Sequence, residues 1–347
     1  MIDKSKLICT NPFGYTEVFD NKQFLCCPGW LKEDVYETES IKDNFNSKKA
    51  QKIRNSILDG SYKYCDSKQC PHLSSLTQGV PNERFVPKNK ENLKLYKPIS
   101  EVKTFGFCFD KSCNLQCPSC RIELINYLGK DRDGVEEKLR QVNEELSETI
   151  KRLYLSGSAD PFYSKSFRQF LINFDPKKYP KLETIHLHTN AILWTESLWE
   201  RMSTIHQFVE SCEISIDASN KDTYENKVRI GGDWDTLIEQ LDFIINIPSI
   251  KSYIFSFVVQ ESNYKEMHSF QKLITNLNWK FDKKISIFFN HMTNWGTFSN
   301  EEYLLKDVSN PVHTEHQDFI KELNKIKDKK NVSHNFNHLL ETKINLI

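Results

Sequence analysis

The sequence has no hydrophobic run long enough to cross a membrane. Its longest apolar stretches, such as residues 254–259, are far shorter than the ~20 apolar residues of a transmembrane helix. The N-terminal residues MIDKSK also lack the apolar core of a secretory signal. We therefore expect a cytoplasmic protein without a membrane partner.

An excess of charge of either sign is also absent. Lys+Arg and Asp+Glu both number 47, so the formal net charge is zero. A broad basic surface is the usual electrostatic footprint of nucleic-acid binding, and this balance argues against a nucleic-acid partner. Hydrophobic residues make up 38% of the chain and charged residues 27%, as in globular proteins. With 347 residues, the chain is long enough for one large domain and a smaller one.

The number and spacing of the cysteines indicate a metal-binding function. Without an export signal, the ten cysteines are expected to be reduced and to serve as ligands or thiols. Three of them have C-x3-C-x2-C spacing just after the alternating apolar run 105–109: Cys113, Cys117 and Cys120. Three thiolates on one loop can converge on one metal centre. Because a [4Fe–4S] cluster usually has four cysteine ligands, this loop leaves one iron open for another ligand.

Five further cysteines lie in the first 98 residues: Cys9, Cys26, Cys27, Cys65 and Cys70. Pro28 and Gly29 follow the pair Cys26-Cys27, and Pro71 follows Cys70. Such turn residues let the backbone bend around a metal centre and direct its amides toward sulfur. Residues 47–58 predict a short helix between them. Residues 79–101 are polar, contain three prolines and show no clear period, which predicts an interdomain linker.

From residue 102, short β-rich runs alternate with helical patterns. Strands are predicted at about 102–110, 152–156, 183–189, 212–217, 253–260 and 284–290. Apolar residues recur at steps of three and four in 135–150 and 234–245, which predicts helices there. Another helix is predicted after Asn263, with Glu266 as its capping-box partner.

The alternation predicts an α/β fold. Six β-then-α units imply parallel strands joined by right-handed crossovers, and six is fewer than the eight that close a standard TIM barrel. We therefore predict a partial (βα)6 TIM-like barrel over residues 99–296. A small cysteine-rich domain over residues 1–98 precedes it, and a helical C-terminal extension over residues 297–347 follows it.

Polar residues end several of the predicted strands. Alternation places Phe105 and Phe107 on one face of the first strand and Asp110 on the other. Functional groups of such barrels collect at the C-terminal ends of strands, so Asp110, Asn190 and Asp217 are predicted to surround one mouth. For each of them, ordinary capping of the following loop is an equally good interpretation.

The C-x3-C-x2-C loop after the first strand of a partial barrel resembles the radical S-adenosylmethionine (SAM) superfamily. In that family SAM chelates the open iron, and one electron from the cluster cleaves SAM to a 5′-deoxyadenosyl radical that abstracts a hydrogen from substrate. The resemblance covers roughly residues 100–295. It implies an enzyme of the oxidoreductase or transferase type that acts on a small molecule, a sugar or a peptide, with a reductant such as flavodoxin or ferredoxin.

The resemblance also implies which residues contact SAM. Residues 158–161, Ser-Ala-Asp-Pro, stand where the family has the Gly-Gly-Glu-Pro motif that holds the SAM amino group. Thr189-Asn190 matches a family Thr-Asn, and Arg229 resembles the arginine that pairs with the SAM carboxylate through its bidentate guanidinium. The implied SAM-binding residues are Ser158, Ala159, Asp160, Asn190, Ser215, Asp217, Arg229 and Val259.

The N-terminal cysteines resemble a SPASM or twitch auxiliary-cluster domain, although here the segment precedes the barrel. The resemblance implies a second [4Fe–4S] cluster with four cysteine ligands: Cys9, Cys26, Cys65 and Cys70. Cys27 is the alternative to Cys26. Four cysteine ligands suit electron transfer, because no iron stays open for substrate. A zinc ribbon formed by the same thiolates is the alternative interpretation.

A zinc site formed by cysteines of both sets is the alternative to the two iron–sulfur clusters. Cys117 and Cys120 have the spacing of one zinc knuckle, and Cys65 with Cys70 or His72 would supply the other. Such a protein would be a non-enzymatic zinc-binding interaction scaffold.

Three polar or thiol side chains in the strands have two interpretations each. Cys108 is the leftover cysteine expected nearest the cavity. It is either a hydrogen-atom donor to a substrate radical or, as we prefer, a small buried hydrophobe. His186 and His188 are predicted to point inward on the third strand, where internal hydrogen bonding is preferred over a general-base role.

Overall fold

The computed structural model describes residues 2–67, 69–77, 79, 82–155 and 157–340. Their contacts divide the chain into two compact units. The first comprises Met1–Asp110, Leu128–Ser158 and Asn173–Ile185, and the second Lys111–Tyr127, Ala159–Ile172 and His186–Ile347. This division by contacts differs in kind from the predicted succession of three domains, which stays a prediction.

The first unit contains both parallel and antiparallel strands. They are β1 (Leu7–Cys9), β2 (Tyr15–Phe19), β3 (Lys22–Phe24), β4 (Phe85–Pro87), β5 (Thr104–Cys108) and β6 (Arg152–Leu155). β5 pairs in parallel with both β2 and β6, and β3 pairs antiparallel with β2. Asp20 and Asn21 join β2 to β3 with φ values of 49° and 58°, the positive angles of a type I′ hairpin turn.

The helices of the first unit lie mainly among the N-terminal cysteines. They are α1 (Ile41–Phe45), α2 (Lys48–Leu58), α3 (Pro71–Thr77), α4 (Lys90–Leu95) and α5 (Gly129–Gln141), which continues into a π-helical turn (Val142–Leu146). The helix predicted over 47–58 is confirmed. It begins after Ser47, whose side chain accepts a hydrogen bond from the Ala50 amide, and it buries Ile53 and Ile57.

The prediction of a linker over residues 79–101 is wrong for part of that segment. It contains helix α4 and strand β4, and β4 pairs antiparallel with β1, with Cys9 opposite Phe85. A three-residue strand that pairs with residues about eighty positions away leaves no periodic signal in the sequence.

The second unit contains a parallel sheet. Its strands are β7 (Thr184–Thr189, from His186 onward), β8 (Ser211–Ser215), β9 (Ser252–Val259), β10 (Lys284–His291) and β11 (Val332–His334). Each strand pairs in parallel with the next in this order. The predicted α/β class and parallel direction are confirmed, and β11 is a strand that was not predicted. Closure into a partial barrel stays a prediction.

Helices connect and cover the strands of the second unit. They are α6 (Lys165–Ile172), α7 (Glu196–Glu200), α8 (Lys221–Thr223) with a π-helical turn (Tyr224–Val228), α9 (Trp234–Ile244), α10 (Met267–Thr275), α11 (Asn300–Lys306), α12 (His316–Ile326) and α13 (Asn337–Leu340). Within the part of the chain that the structure describes, no helix is both long enough and apolar enough to span a membrane.

The start of α10 differs from its prediction. The side chain of Asn263 does not cap a helix, because its amide group donates to the backbone oxygens of Asp217 and Val258 at 2.9 and 2.8 Å. Glu266 accepts hydrogen bonds from the amide and hydroxyl of Ser219. The predicted capping box is therefore wrong, since both side chains are used to hold the loops after β8 and β9.

Aromatic side chains contribute to the core of each unit, together with many buried Ile, Leu and Val residues. In the first, the rings of Phe105 and Phe107 lie 5.2 Å apart, on the shared face that alternation predicted. In the second, Phe257 of β9 contacts Phe270 of α10 at 5.0 Å and Phe289 of β10 at 5.3 Å. Burial of each such ring contributes roughly 1.5–3 kcal/mol to stability. These contacts stabilise the packing of β5, β9 and β10.

Candidate functional site

The three-cysteine loop lies wholly in the second unit, and backbone hydrogen bonds fold it back on itself. The Cys113 amide donates to the Ile125 oxygen at 3.0 Å, and the Cys120 amide donates to the Cys117 oxygen at 2.9 Å. The Gln116 amide donates to the Ile230 oxygen at 2.8 Å, which ties the loop to the segment that follows Arg229. Cys113 and Cys117 are buried, whereas Cys120 is exposed.

Each sulfur of this loop accepts a hydrogen bond from a side-chain N–H group. The pairs are Cys113 with Asn190 Nδ2 (3.7 Å), Cys117 with Arg229 Nη1 (3.5 Å) and Cys120 with Arg121 Nη2 (3.4 Å). Donors of this kind, two of them cationic, stabilise the thiolate form of cysteine that binds metals. Each of the three sulfurs therefore has a donor that favours its thiolate form.

Arg229 is positioned by an irregular backbone and a buried carboxylate. Its amide donates to the Tyr224 oxygen at 2.8 Å, which closes the π-helical turn, a feature often found at functional sites. Its Nη2 lies 2.8 Å from Asp217 Oδ2. Asp217 has a φ of 63°, a strained value for a residue other than glycine, and its Oδ1 accepts the Val258 amide at 2.7 Å. Burial raises the pKa of Asp217, and Arg229 opposes that rise.

Asp160 is a buried carboxylate with four protein donors. Its Oδ1 accepts the amides of Phe162 and Tyr163 at 3.0 and 3.3 Å. Its Oδ2 accepts the Thr189 hydroxyl and the Asn190 amide at 2.7 and 2.9 Å. Burial raises its pKa against the effect of these donors. Asp160 thus holds the end of β7 in place, and its role toward the SAM amino group stays a prediction.

The remaining predicted SAM-binding residues occupy different surroundings. Ser158 belongs to the first unit, where its hydroxyl donates to the Asp110 oxygen at 2.6 Å, while the half-buried Ala159 belongs to the second. Ser215 ends β8 and shares hydrogen bonds with His188 and Ser256 at 2.7 and 2.9 Å. Buried Val259 ends β9. Their roles toward SAM stay predictions.

The two histidines of β7 make internal hydrogen bonds, as their preferred interpretation requires. His188 Nε2 lies 2.7 Å from the Ser215 hydroxyl and 3.7 Å from Glu213, and His186 Nδ1 lies 2.9 Å from the Ser211 hydroxyl. Burial lowers the pKa of His186 to about 4, so this imidazole is neutral near pH 7.

In the first unit, the four predicted auxiliary ligands line one cavity: Cys9, Cys26, Cys65 and Cys70. Trp30, His72 and Arg84 also line it. Among the residues that the structure describes, the lining includes Cys26 and does not include Cys27. The side-chain amide of Asn11 donates to the sulfur of Cys26 at 3.4 Å.

Burial and mutual repulsion dominate the electrostatics of this cavity. Burial raises the pKa of Cys9 to about 11 and that of Cys65 to about 12, and each of these thiols also feels the charge of Cys70. The Arg84 guanidinium acts in the opposite direction on the pKa of Cys9, Cys26 and Cys70. One cation therefore favours the thiolate form of three cysteines that share the cavity.

Neither the cysteines of the C-x3-C-x2-C loop nor the N-terminal cysteines converge on a single metal-ion position among the described residues. Within residues 2–67, 69–77, 79, 82–155 and 157–340, no three Cys, His, Asp or Glu side chains converge closely enough to hold one metal ion. Both sets stay predicted ligands.

Cys108 lies in a buried polar cluster of the first unit. Its thiol donates to Glu17 Oε2 at 3.5 Å, and the Tyr15 hydroxyl donates to the same oxygen at 2.6 Å. Cys108 is buried, as preferred, but it contacts a carboxyl group rather than only apolar neighbours. Its alternative role as a hydrogen-atom donor stays a prediction.

Sequence reasoning missed three residues that the structure brings to the cysteines. Arg121 was detectable as a cation next to the third cysteine of the motif, but this signal is weak. Asn114 accepts the Asn190 side-chain amide at 2.8 Å, and its position inside the motif was the available sign. No sequence signal pointed to Arg84, because it lies in the segment that was interpreted as a linker.

No protein family and no curated protein matches this sequence. Several solved structures align with the fold. SuiB of Streptococcus suis, bound to precursor peptide SuiA, aligns over 87% of this chain and 67% of its own, with 12% identity and a TM-score of 0.44. anSMEcpe with bound AdoMet aligns over 56% of this chain and 52% of its own, with 17% identity and a TM-score of 0.40. A radical SAM methyltransferase from Sphaerobacter thermophilus aligns over 64% of this chain and 63% of its own, with 11% identity and a TM-score of 0.38.

Proposed function

We propose that this protein is a radical SAM enzyme whose Cys113, Cys117 and Cys120 hold a [4Fe–4S] cluster. With SAM on its open iron, the cluster would supply reductive cleavage of SAM to a 5′-deoxyadenosyl radical that takes a hydrogen atom from substrate. One observation carries the proposal: three cysteines on one loop, each with a side-chain N–H donor directed at its sulfur.

The donor set fits a cluster with an open iron better than it fits zinc. A structural zinc ion usually has four protein ligands, whereas this loop offers three sulfurs. Hydrogen bonds to cysteine sulfur are among the factors that set the reduction potential of iron–sulfur clusters. The three N–H donors therefore have a chemical use at such a centre.

Arg229 and Asp217 would orient SAM beside this loop. One Nη of Arg229 donates to Cys117 and the other pairs with Asp217, while its buried Nε has no partner among the described residues. A buried donor without a partner costs free energy, so a bound carboxylate at this position would be stabilised. This supports the proposed pairing of Arg229 with the SAM carboxylate.

We also propose an auxiliary [4Fe–4S] cluster in the cavity lined by the N-terminal cysteines. Four thiols in one cavity with Arg84 support it, because the cation offsets part of the thiolate charge. Full cysteine ligation suits electron transfer during dehydrogenation, epimerisation or bond formation. The proposed substrate is a small molecule, a sugar or a peptide, and the proposed reductant is of the flavodoxin or ferredoxin class.

Anaerobic reconstitution with iron and sulfide, followed by metal analysis, tests the proposal. Reduction by dithionite in the presence of SAM should yield 5′-deoxyadenosine. The triple variant Cys113→Ala, Cys117→Ala, Cys120→Ala should lose this product, because no thiolate of the loop remains. Cys212→Ala is the matched control, since Cys212 is buried in β8 outside both cysteine sets.

Two results would contradict the proposal. Bound zinc without iron would favour the non-enzymatic scaffold. Undiminished 5′-deoxyadenosine from the triple variant would show that the cluster site lies elsewhere.

A further inference from the structure

Arg121 links the beginning of the cysteine loop to its end. It follows Cys120 directly, and its side chain is buried rather than extended into solvent. Its Nη1 donates to the Lys111 oxygen at 2.6 Å, and its Nη2 donates to Cys120 Sγ at 3.4 Å. The guanidinium thus holds a fixed position relative to the third sulfur, which is the only exposed one of the three.

The guanidinium of Arg121 brings a positive charge within hydrogen-bond distance of the Cys120 sulfur. A buried cation is stable where counter-charge lies close to it, and ligand thiolates supply such charge.

Both arginines of the site donate to a sulfur of the loop. The guanidinium of Arg229 donates to Cys117 and also pairs with the Asp217 carboxylate at 2.8 Å. The guanidinium of Arg121 donates to Cys120 and to the Lys111 backbone oxygen. Each guanidinium is therefore held beside a predicted ligand sulfur.

We propose that Arg121 is a positioning residue that raises the reduction potential of the cluster held by this loop. One-electron reduction adds a negative charge without making or breaking a bond. A cation and an N–H···S bond fixed beside a ligand sulfur stabilise the more negative, reduced form. The inference rests on the proposed function, because it presupposes that the loop holds a cluster.

Redox titration of the reconstituted full chain, followed by electron paramagnetic resonance, tests this role. Arg121→Gln removes the charge, whereas Arg121→Lys keeps the charge but loses the planar fork of N–H donors. We expect Arg121→Gln to have at least about a tenfold higher ratio of oxidised to reduced cluster at a given potential, equivalent to about 59 mV for one electron. Arg121→Lys should lie between this variant and the wild type.

Arg168→Gln is the matched control. It removes an arginine of the same unit whose Nη1 donates to a backbone oxygen, that of Phe162 at 3.0 Å. Its titration curve should coincide with that of the wild type. Iron content is measured for every variant, so that loss of the cluster is distinguished from a change in its potential.

The outcomes separate the inference from the proposed function. Equal potentials for the wild type and Arg121→Gln, with iron retained, would overturn the inference and leave the proposed function intact. If Arg121→Gln retains no iron, Arg121→Lys decides: a potential below that of the wild type supports the inference, and an equal potential overturns it. A wild-type chain that binds no iron would overturn both.

Discussion

Glu17 is a buried acid whose protonation the fold strongly perturbs. It lies in β2 with 5% of its surface exposed. Its Oε2 accepts the Tyr15 hydroxyl and the Cys108 thiol, while its Oε1 has no partner among the described residues. Burial raises the pKa of Glu17 from its ordinary 4.5 to about 7, against the effect of the two donors. The folded protein therefore favours the neutral carboxylic acid.

This shift predicts a pH dependence of stability that Glu17→Gln should remove. Between the unfolded value of 4.5 and the folded value of about 7, the folded state binds the proton more tightly than the unfolded chain. The free energy of unfolding therefore falls as pH rises through this interval and then levels off. Relative to Glu17→Gln, the wild type should lose about 1–3 kcal/mol over that range. Urea unfolding at several pH values measures this.

Parallel pH profiles for the two proteins would contradict the prediction. Glutamine keeps the shape of the side chain, and its amide oxygen can still accept the Tyr15 hydroxyl. The difference between the profiles therefore reports the titration of Glu17 rather than lost packing.

Side chains of β2 fill the space beside Gly106 of β5. A Cβ atom on this residue would lie 2.7 Å from the Tyr15 hydroxyl oxygen and 2.9 Å from the Glu17 Cβ. The parallel pairing of the two strands places Gly106 opposite Glu17. Glycine is therefore required here by the close approach of the neighbouring strand.

Two glycine-to-alanine substitutions should have opposite effects on stability. Gly106→Ala should lower the free energy of unfolding by about 1–3 kcal/mol, because β2 must shift to admit a methyl group. Gly134→Ala in α5 meets no atom within 4 Å and should raise it by about 0.5–1 kcal/mol through helix propensity. Urea unfolding of both variants tests this.

A second substitution identifies the cause of the first effect. Tyr15→Phe removes the hydroxyl oxygen that the new methyl group would meet at 2.7 Å. It should therefore recover part of the stability lost in Gly106→Ala. If Gly106→Ala is as stable as the wild type, β2 and β5 do not approach as closely as described.

The sequence was sufficient for strands whose signal is local. β9 spans Ser252–Val259 where 253–260 was predicted, because a run of aromatic and β-branched residues is long enough to recognise. β2 and β11 were not predicted; they are only five and three residues long, and each pairs with a strand far away in the chain, such as Tyr15 with Thr104.

The candidate site was predictable to the same extent. The cysteine spacing is contained within eight residues, so the motif could be found without knowledge of the fold. The contact between Arg121 and Cys120 depends on how the loop turns back to Lys111, which no spacing encodes. The four donors to Asp160 likewise come from two chain segments that only the fold brings together.

The two cysteine sets belong to different compact units of the protein. The set predicted to bind the auxiliary cluster lies entirely within Met1–Asp110, and the set of the C-x3-C-x2-C loop lies within Lys111–Tyr127. The hydrogen bonds to sulfur described for each set come from its own unit, as from Asn11 to Cys26 and from Arg229 to Cys117. We therefore expect each centre to assemble without ligands from the other.

Iron analysis of single cysteine variants should reveal this independence. The reconstituted wild type should hold about eight irons, the content of two [4Fe–4S] clusters. Cys26→Ser should hold about four irons and still cleave SAM, because the C-x3-C-x2-C loop is intact. The adjacent Cys27→Ser is the matched control and should keep about eight, since Cys27 is not part of the cavity lining among the described residues. Loss of iron from Cys27→Ser but not from Cys26→Ser would show that Cys27, rather than Cys26, is the ligand of the auxiliary cluster. Loss of all iron from Cys26→Ser would show that the centres depend on each other.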